Sequence, residues 1–115
     1  MRVREVISAL NTLVLTSHHS SEFEMDWACA TDLMSEVLYY SRENSLLITG
    51  LTKRQAIRTA DIADIGVVVF TRGKEPDTET LKLADDKKIT LLITQYSMFT
   101  ACGVLYSLGM RCCPE

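Results

Sequence analysis

Four short apolar runs in this chain each close on a threonine: Trp27 to Thr31, Leu46 to Thr49, Val67 to Thr71 and Ile89 to Thr94. After each comes a polar or glycine-bearing turn, then a segment with helical spacing of apolar residues. Repeated strand, turn and helix is how a mainly parallel α/β sheet with helices packed on it is written in sequence. Successive runs stand roughly 20 residues apart, room for a helical crossover each time, and such crossovers are right-handed. The Val-Val-Val-Phe run at 67–70 has no polar alternation, which predicts a central strand buried on both faces. The 115 residues predict one α/β domain over 1–115, with no linker or low-complexity stretch.

The rest of the chain fits around that repeat. Val3, Val6, Ile7 and Leu10 fall at helical spacing and predict a short helix over 2–10. Thr12 to Thr16 reads as a strand, and Ser17 to Met25 as a loop. Thr31 or Asp32 can cap a helix whose apolar side is Leu33, Met34, Val37 and Leu38. Thr52 with Gln55 three residues on is a capping box for the next helix, faced by Ala56, Ile57, Ala60 and Ala63. Asp77 predicts the cap of a helix through about Asp86. Ser97 predicts the cap of the last helix, with Phe99, Cys102, Leu105 and Tyr106 on its inner face and Gly109 as terminator.

Composition narrows the function classes. A net charge of −3 argues against nucleic acid or an anionic membrane as partner. No apolar run reaches the ~20 residues of a bilayer span, and Met1 to Glu5 does not open a signal peptide, so the expected location is the cytoplasm. Cys29 and Cys102 fall at apolar positions and no CxxC occurs, so thiol chemistry is not expected to be the task. His18-His19 would point to opposite sides of an extended segment, whereas a zinc site wants three or four converging ligands. No metal and no cofactor are expected. Gly73-Lys74 lacks the upstream glycine of a phosphate loop and is followed by Glu and Pro. No catalytic set assembles, and the expectation is that the chain is not an enzyme.

The segments Thr31-Asp-Leu-Met-Ser-Glu36, Ser45-Leu-Leu-Ile-Thr49, Gly66-Val-Val-Val-Phe-Thr-Arg-Gly73, Ile89 to Thr94, Ser97-Met-Phe99 and Leu105-Tyr-Ser-Leu-Gly109 together resemble the DRTGG domain family. The resemblance covers about residues 26–110 and rests on order and spacing. DRTGG domains occur alone and as regulatory inserts in CBS-domain pyrophosphatases and some phosphate acetyltransferases. They are related to the N-terminal domain of HPr kinase/phosphorylase. The resemblance therefore implies a sandwich-like α/β domain, a homodimer, and a regulatory task. The pentapeptide that names the family is absent; Glu22-Phe-Glu-Met-Asp26 stands before Trp27, so no role tied to that motif carries over.

Two sets of residues follow as candidates. The strand ends and the turns after them supply a rim of Thr31, Asp32, Thr49, Gly50, Thr52, Arg54, Thr71, Arg72 and Thr94. Hydroxyls, backbone N–H groups and the cations Lys53, Arg54 and Arg72 could there hold a nucleotide or another phosphorylated metabolite. The alternative is that the threonines are strand residues and caps, and that the cations are solvated. Leu33, Met34, Leu38, Tyr39 and Tyr40 leave their helix little polar face, which makes it a candidate dimer interface. The expected function is a non-catalytic regulatory domain that homodimerises and answers to a small anionic ligand or a partner protein.

Overall fold

The computed structural model describes residues 1–114. The elements run in the order α1 (Val3–Ala9), β1 (Leu13–Val14), β2 (Trp27–Ala30), α2 (Met34–Tyr40), β3 (Ser45–Thr49), α3 (Arg54–Ile62), β4 (Val67–Phe70), α4 (Thr78–Asp86), β5 (Thr90–Ile93) and α5 (Met98–Ser107). They build one five-stranded sheet in the order β1-β5-β4-β3-β2. The four strands β2 to β5 are parallel and lie side by side in chain order, while β1 runs antiparallel against β5.

Each strand-to-strand crossover thus returns to the adjacent position, and crossovers of one hand must place their helices on one side. They do: Met34, Val37, Ala56, Ile57, Ala60 and Ala84, from α2, α3 and α4, share a core with Leu47, Val68, Phe70, Leu91 and Ile93 of the sheet. The opposite face carries Leu46, Ile48, Val67, Val69 and Leu92 against Val3, Val6, Ala101 and Leu105 of α1 and α5. The alternation of neighbouring residues between two apolar cores explains why every position of β3, β4 and β5 is buried.

The helix ends show which local signals prevailed. Asp77 caps α4 through the Thr80 amide at 2.8 Å, and Ser97 caps α5 through the Thr100 amide at 3.1 Å. Gly109, at φ 106°, follows Leu108, the C-cap of α5, in a conformation that a side chain would resist. The capping box at Thr52 and Gln55 does not form. Helix α3 begins at Arg54 after Lys53, with no side-chain cap bond, because the chain from Gly50 through Thr52 is still crossing the sheet edge. Helix α2 likewise starts at Met34, after Leu33, with Thr31 Oγ1 accepting the Leu33 amide two residues on.

The strand read at 12–16 shrinks to two residues, and its edge is closed by a side chain. The Leu15 amide still reaches the Leu91 carbonyl at 2.8 Å, but the Leu91 amide turns to Thr16 Oγ1 at 3.3 Å. At the other edge the C-terminal segment lies beside β2, with the Ala28 amide on the Arg111 carbonyl at 2.9 Å.

Helix α5 is turned differently from the expectation. Ala101 and Leu105 point inward, Cys102 is half-buried, and Phe99 and Tyr106 face outward at 78% and 63% exposure. A helix with apolar residues all round offers no internal signal for which stripe the sheet will cover. Among the described residues no helix is long and apolar enough to cross a membrane.

Candidate functional site

The four threonines do meet at the C-terminal edge of the sheet, but strand register divides them. Ala30 pairs with Ile48, so Thr31 and Thr49 stand level, on the side of α2 to α4 with Cys29 and Leu47. Phe70 pairs with Ile93, so Thr71 and Thr94 stand level, on the side of α1 and α5 with Val69 and Leu92. Between β3 and β4 the register puts Thr49 opposite Phe70, one residue short of Thr71. One row in sequence becomes two pairs on opposite faces.

Three of the hydroxyls already have internal partners. Thr31 Oγ1 accepts the Leu33 amide at 3.0 Å. Thr49 Oγ1 donates to Asp32 Oδ1 at 2.9 Å and accepts the Leu51 amide at 3.1 Å. Thr94 Oγ1 donates to the Leu10 carbonyl at 2.7 Å and accepts the Tyr96 amide at 3.2 Å, which ties the end of α1 to the sheet edge.

Asp32 organises the middle of the edge. Its Oδ1 also accepts the Gly50 amide at 2.7 Å, so one carboxylate oxygen fastens the end of β2 to the end of β3. A Cβ on Gly50 would lie 3.4 Å from both Asp32 Oδ2 and Thr71 Oγ1, so Asp32, Gly50 and Thr71 are in close approach. The carboxylate stands where an anion would otherwise meet the Gly50 amide.

The cations are in part matched by acids. Arg54 Nη1 lies 2.9 Å from Glu79 Oε2, joining the first turns of α3 and α4. The Thr80 amide holds the Asp77 carboxyl below its ordinary range, with smaller help from Arg54 and Lys53. Basic residues at the positive end of α3 are therefore answered by the acids at the start of α4, which offsets an otherwise unfavourable placement. Thr52 is half-buried on the crossing segment, and Arg72 is exposed.

Arg72 also belongs to a contact between two loops. The chain leaving β4 turns toward the α4 face and the chain leaving β5 toward the α5 face, so the two strand ends mark a topological switch point, the position at which open α/β sheets hold ligands. Here the two loops are fastened to each other. The Arg72 amide donates to the Tyr96 carbonyl and the Gly73 amide to the Thr94 carbonyl, both at 2.8 Å. Arg72 and Gly73 both have positive φ, 58° and 65°. A Cβ on Gly73 would stand 2.5 Å from Gln95 Oε1, so the side chain of Gln95 lies flat on this glycine. The signal for it in the sequence was the Arg72-Gly73 pair directly after a strand; Gln95 gave none.

The helix proposed for self-association presents Leu33, Leu38, Tyr39 and Tyr40 to solvent, with Tyr39 and Tyr40 in edge contact at 4.7 Å between ring centroids. Met34 instead lies in the core beneath it. Three of the four cysteines gather at the β2 edge. Cys29, Cys112 and Cys113 line a pocket of about 340 Å³ with Glu36 and Tyr40, and Ser45 Oγ is 3.2 Å from Cys113 Sγ. Burial pushes the Cys29 thiol up to about 11, with the nearby cysteines and Glu36 adding to the shift. His18 Nδ1 stands 3.8 Å from Asp85 Oδ1 in the connection before β2. Among the described residues no group of three or more His, Cys, Asp and Glu is placed to hold a metal ion.

Set beside known proteins, residues 5–108 match the DRTGG domain. No curated protein sequence matches the chain. Among solved structures, the CBS and DRTGG domains of the regulatory region of Clostridium perfringens pyrophosphatase, in complex with the activator diadenosine tetraphosphate, superpose with a TM-score of 0.76 at 16% identity. The match takes in 90% of this chain and 45% of that one, so the chain spans about half the length of the protein it resembles.

Proposed function

The chain belongs to the DRTGG domain family, and from that premise we propose that it is a non-catalytic regulatory module, a single domain over 1–115 that homodimerises and responds to a small ligand or a partner protein. The observation that carries this reading is the extent of the match: residues 5–108 take in every strand and helix except the first two residues of α1. The related fold in the pyrophosphatase lies in a regulatory region. The chemistry at the sheet edge is in keeping with such a task. Its hydroxyls and its central carboxylate are tied into structural hydrogen bonds, an arrangement that couples the ends of β2, β3 and β5 instead of exposing a nucleophile and base.

A second reading is favoured by one observation, the topological switch between β4 and β5, after which the chain turns toward opposite faces of the sheet. We propose Thr71, Arg72 and Thr94, with Thr52 and Arg54 further along the edge, as the place where a nucleotide or other phosphorylated metabolite would dock; Thr31, Thr49 and Gly50 are taken up by the bonds to Leu33 and Asp32. The pyrophosphatase region binds a dinucleoside polyphosphate, which makes that class the first to try.

Native mass spectrometry and a melting series test both readings. A dimer whose melting temperature rises with diadenosine tetraphosphate or a mononucleotide supports the ligand reading; saturation at a hundredfold excess adds about 2.7 kcal/mol to stability. The rise should be lost in Arg72→Glu. A dimer indifferent to nucleotides leaves partner binding as the task, and a nucleotide-indifferent monomer refutes the proposal.

A further inference from the structure

The longest charge-free stretch of this chain runs from Ile89 to Met110, in a sequence that is 23% charged overall. Its first part is β5, where burial on both faces accounts for the composition. Its later part is α5, a helix on the outside of the molecule. Its outward stripe is Phe99, Gly103 and Tyr106, at i, i+4 and i+7, and Phe99 and Tyr106 are 78% and 63% exposed. Leu108, 58% exposed, continues the patch beyond the helix end. A Cβ on Gly103 would meet nothing within 4 Å, so the centre of the stripe is open to close approach by another backbone.

We infer that this face of α5 is the surface on which two copies of the chain associate, by antiparallel packing of α5 on α5 about a two-fold axis near Gly103. The inference rests on the homodimer reading above and gives it an interface. Three observations favour a second copy over an unlike partner. The midpoint between Phe99 and Tyr106 falls at Cys102 and Gly103, so a two-fold axis there sets Phe99 of each copy on Tyr106 of the other. Such a patch is self-complementary, as an isologous interface must be. Its lack of acidic side chains matters too: copies that each carry −3 meet there with least repulsion.

The third is area. Aromatic side chains cover ~150–250 Å² each, so Phe99, Tyr106 and Leu108 together offer about 400 Å² per copy at their observed exposures. Two copies bury roughly 800 Å² from these side chains alone, and the flanking Cys102 and Ser107 bring the contact toward the ~1,200 Å² of the smaller stable interfaces. Arg111 stacks on the Tyr106 ring at 4.1 Å and is itself fixed by hydrogen bonds to the carbonyls of Tyr106 and Met110. The groove between α5 and β2, about 240 Å³ and lined by Ala28, Ala30 and Ile48, extends the apolar surface to one side.

Sedimentation velocity over a dilution series decides it, with Gly103→Glu, Phe99→Ser and Tyr39→Glu compared against the unaltered chain. Gly103→Glu adds a charge at open space in a helix and leaves the monomer fold intact, which circular dichroism and melting will show. The expected result is a dimer that Gly103→Glu and Phe99→Ser weaken by roughly thirtyfold or more, the effect of losing a hot-spot contact, while Tyr39→Glu leaves it unchanged. A dimer that survives both α5 variants and splits with Tyr39→Glu overturns the α5 assignment and leaves the homodimer reading standing. A chain that is monomeric throughout overturns both.

Discussion

Asp32→Ala removes the one carboxylate that joins the ends of β2 and β3, and its consequence can be worked from the geometry. Asp32 Oδ1 accepts from Thr49 Oγ1 at 2.9 Å and from the Gly50 amide at 2.7 Å. A hydrogen bond to a charged group contributes about 1.5–3 kcal/mol when sheltered, and less at a surface. Asp32 is exposed while Thr49 is fully buried, so the Thr49 bond keeps more of its worth than the Gly50 bond. Together they come to about 2 kcal/mol. For a domain of this size that is a fall in melting temperature of roughly 6–10 °C. Asp32→Asn keeps an acceptor oxygen in place and loses only the charge assistance, so about half the effect is expected. Thermal unfolding followed by circular dichroism at neutral pH measures both. A fall under about 2 °C for the alanine variant, or an asparagine variant as damaged as the alanine one, would refute the view that this carboxylate is a structural clasp.

Gly73→Ala forces a side chain onto a residue at φ 65° and into Gln95, so destabilisation by about 1–3 kcal/mol is expected in urea unfolding. Gln95→Ala in the same chain should recover the steric part and leave the backbone part. The pH dependence of melting should reflect Asp85 and Asp77, whose carboxyls hydrogen bonds hold below their ordinary value of 3.8. For Asp85 the bonds come from the Ser17 amide first and the Ser17 hydroxyl second, with His18 a lesser influence. A carboxyl with a depressed folded value binds its proton more readily when unfolded, so its contribution is whole above pH ~4 and is lost as pH falls through the folded value. Asp85→Asn and Ser17→Ala should each flatten the melting curve in that acid range, and unchanged acid sensitivity would tell against it. Cys29, with its thiol raised to about 11, should be alkylated far more slowly at neutral pH than an exposed thiol, which peptide mass mapping of an iodoacetamide time course checks.

Much of the fold was legible because the signals are local. The four strands closing on threonine, the Asp77 and Ser97 caps and the Gly109 terminator each involve residues a few positions apart. Those hydrogen bonds form wherever the segment lies. The capping box at Thr52 and Gln55 was an equally good local signal, and it lost. The chain leaving β3 is pinned at Gly50 by Asp32, from the turn after β2, and does not become helical until Arg54.

The sequence by itself determined that strands and helices would alternate, that the sheet would be mainly parallel, and that β4 would be buried on both faces. These follow from the period of apolar residues and from the length of chain between runs. Only the tertiary structure decided which way each end and face would point. Register sent Thr31 and Thr49 to one side of the sheet and Thr71 and Thr94 to the other, since a one-residue stagger inverts a side chain. Packing turned Met34 inward and Phe99 and Tyr106 outward, because the stripe of an apolar helix that is covered depends on its neighbours. The pairing of Arg54 with Glu79 and the fastening of Arg72 and Gly73 to the loop after β5 join residues more than twenty positions apart. No spacing rule reaches that far; what joins them is the order of strands across the sheet.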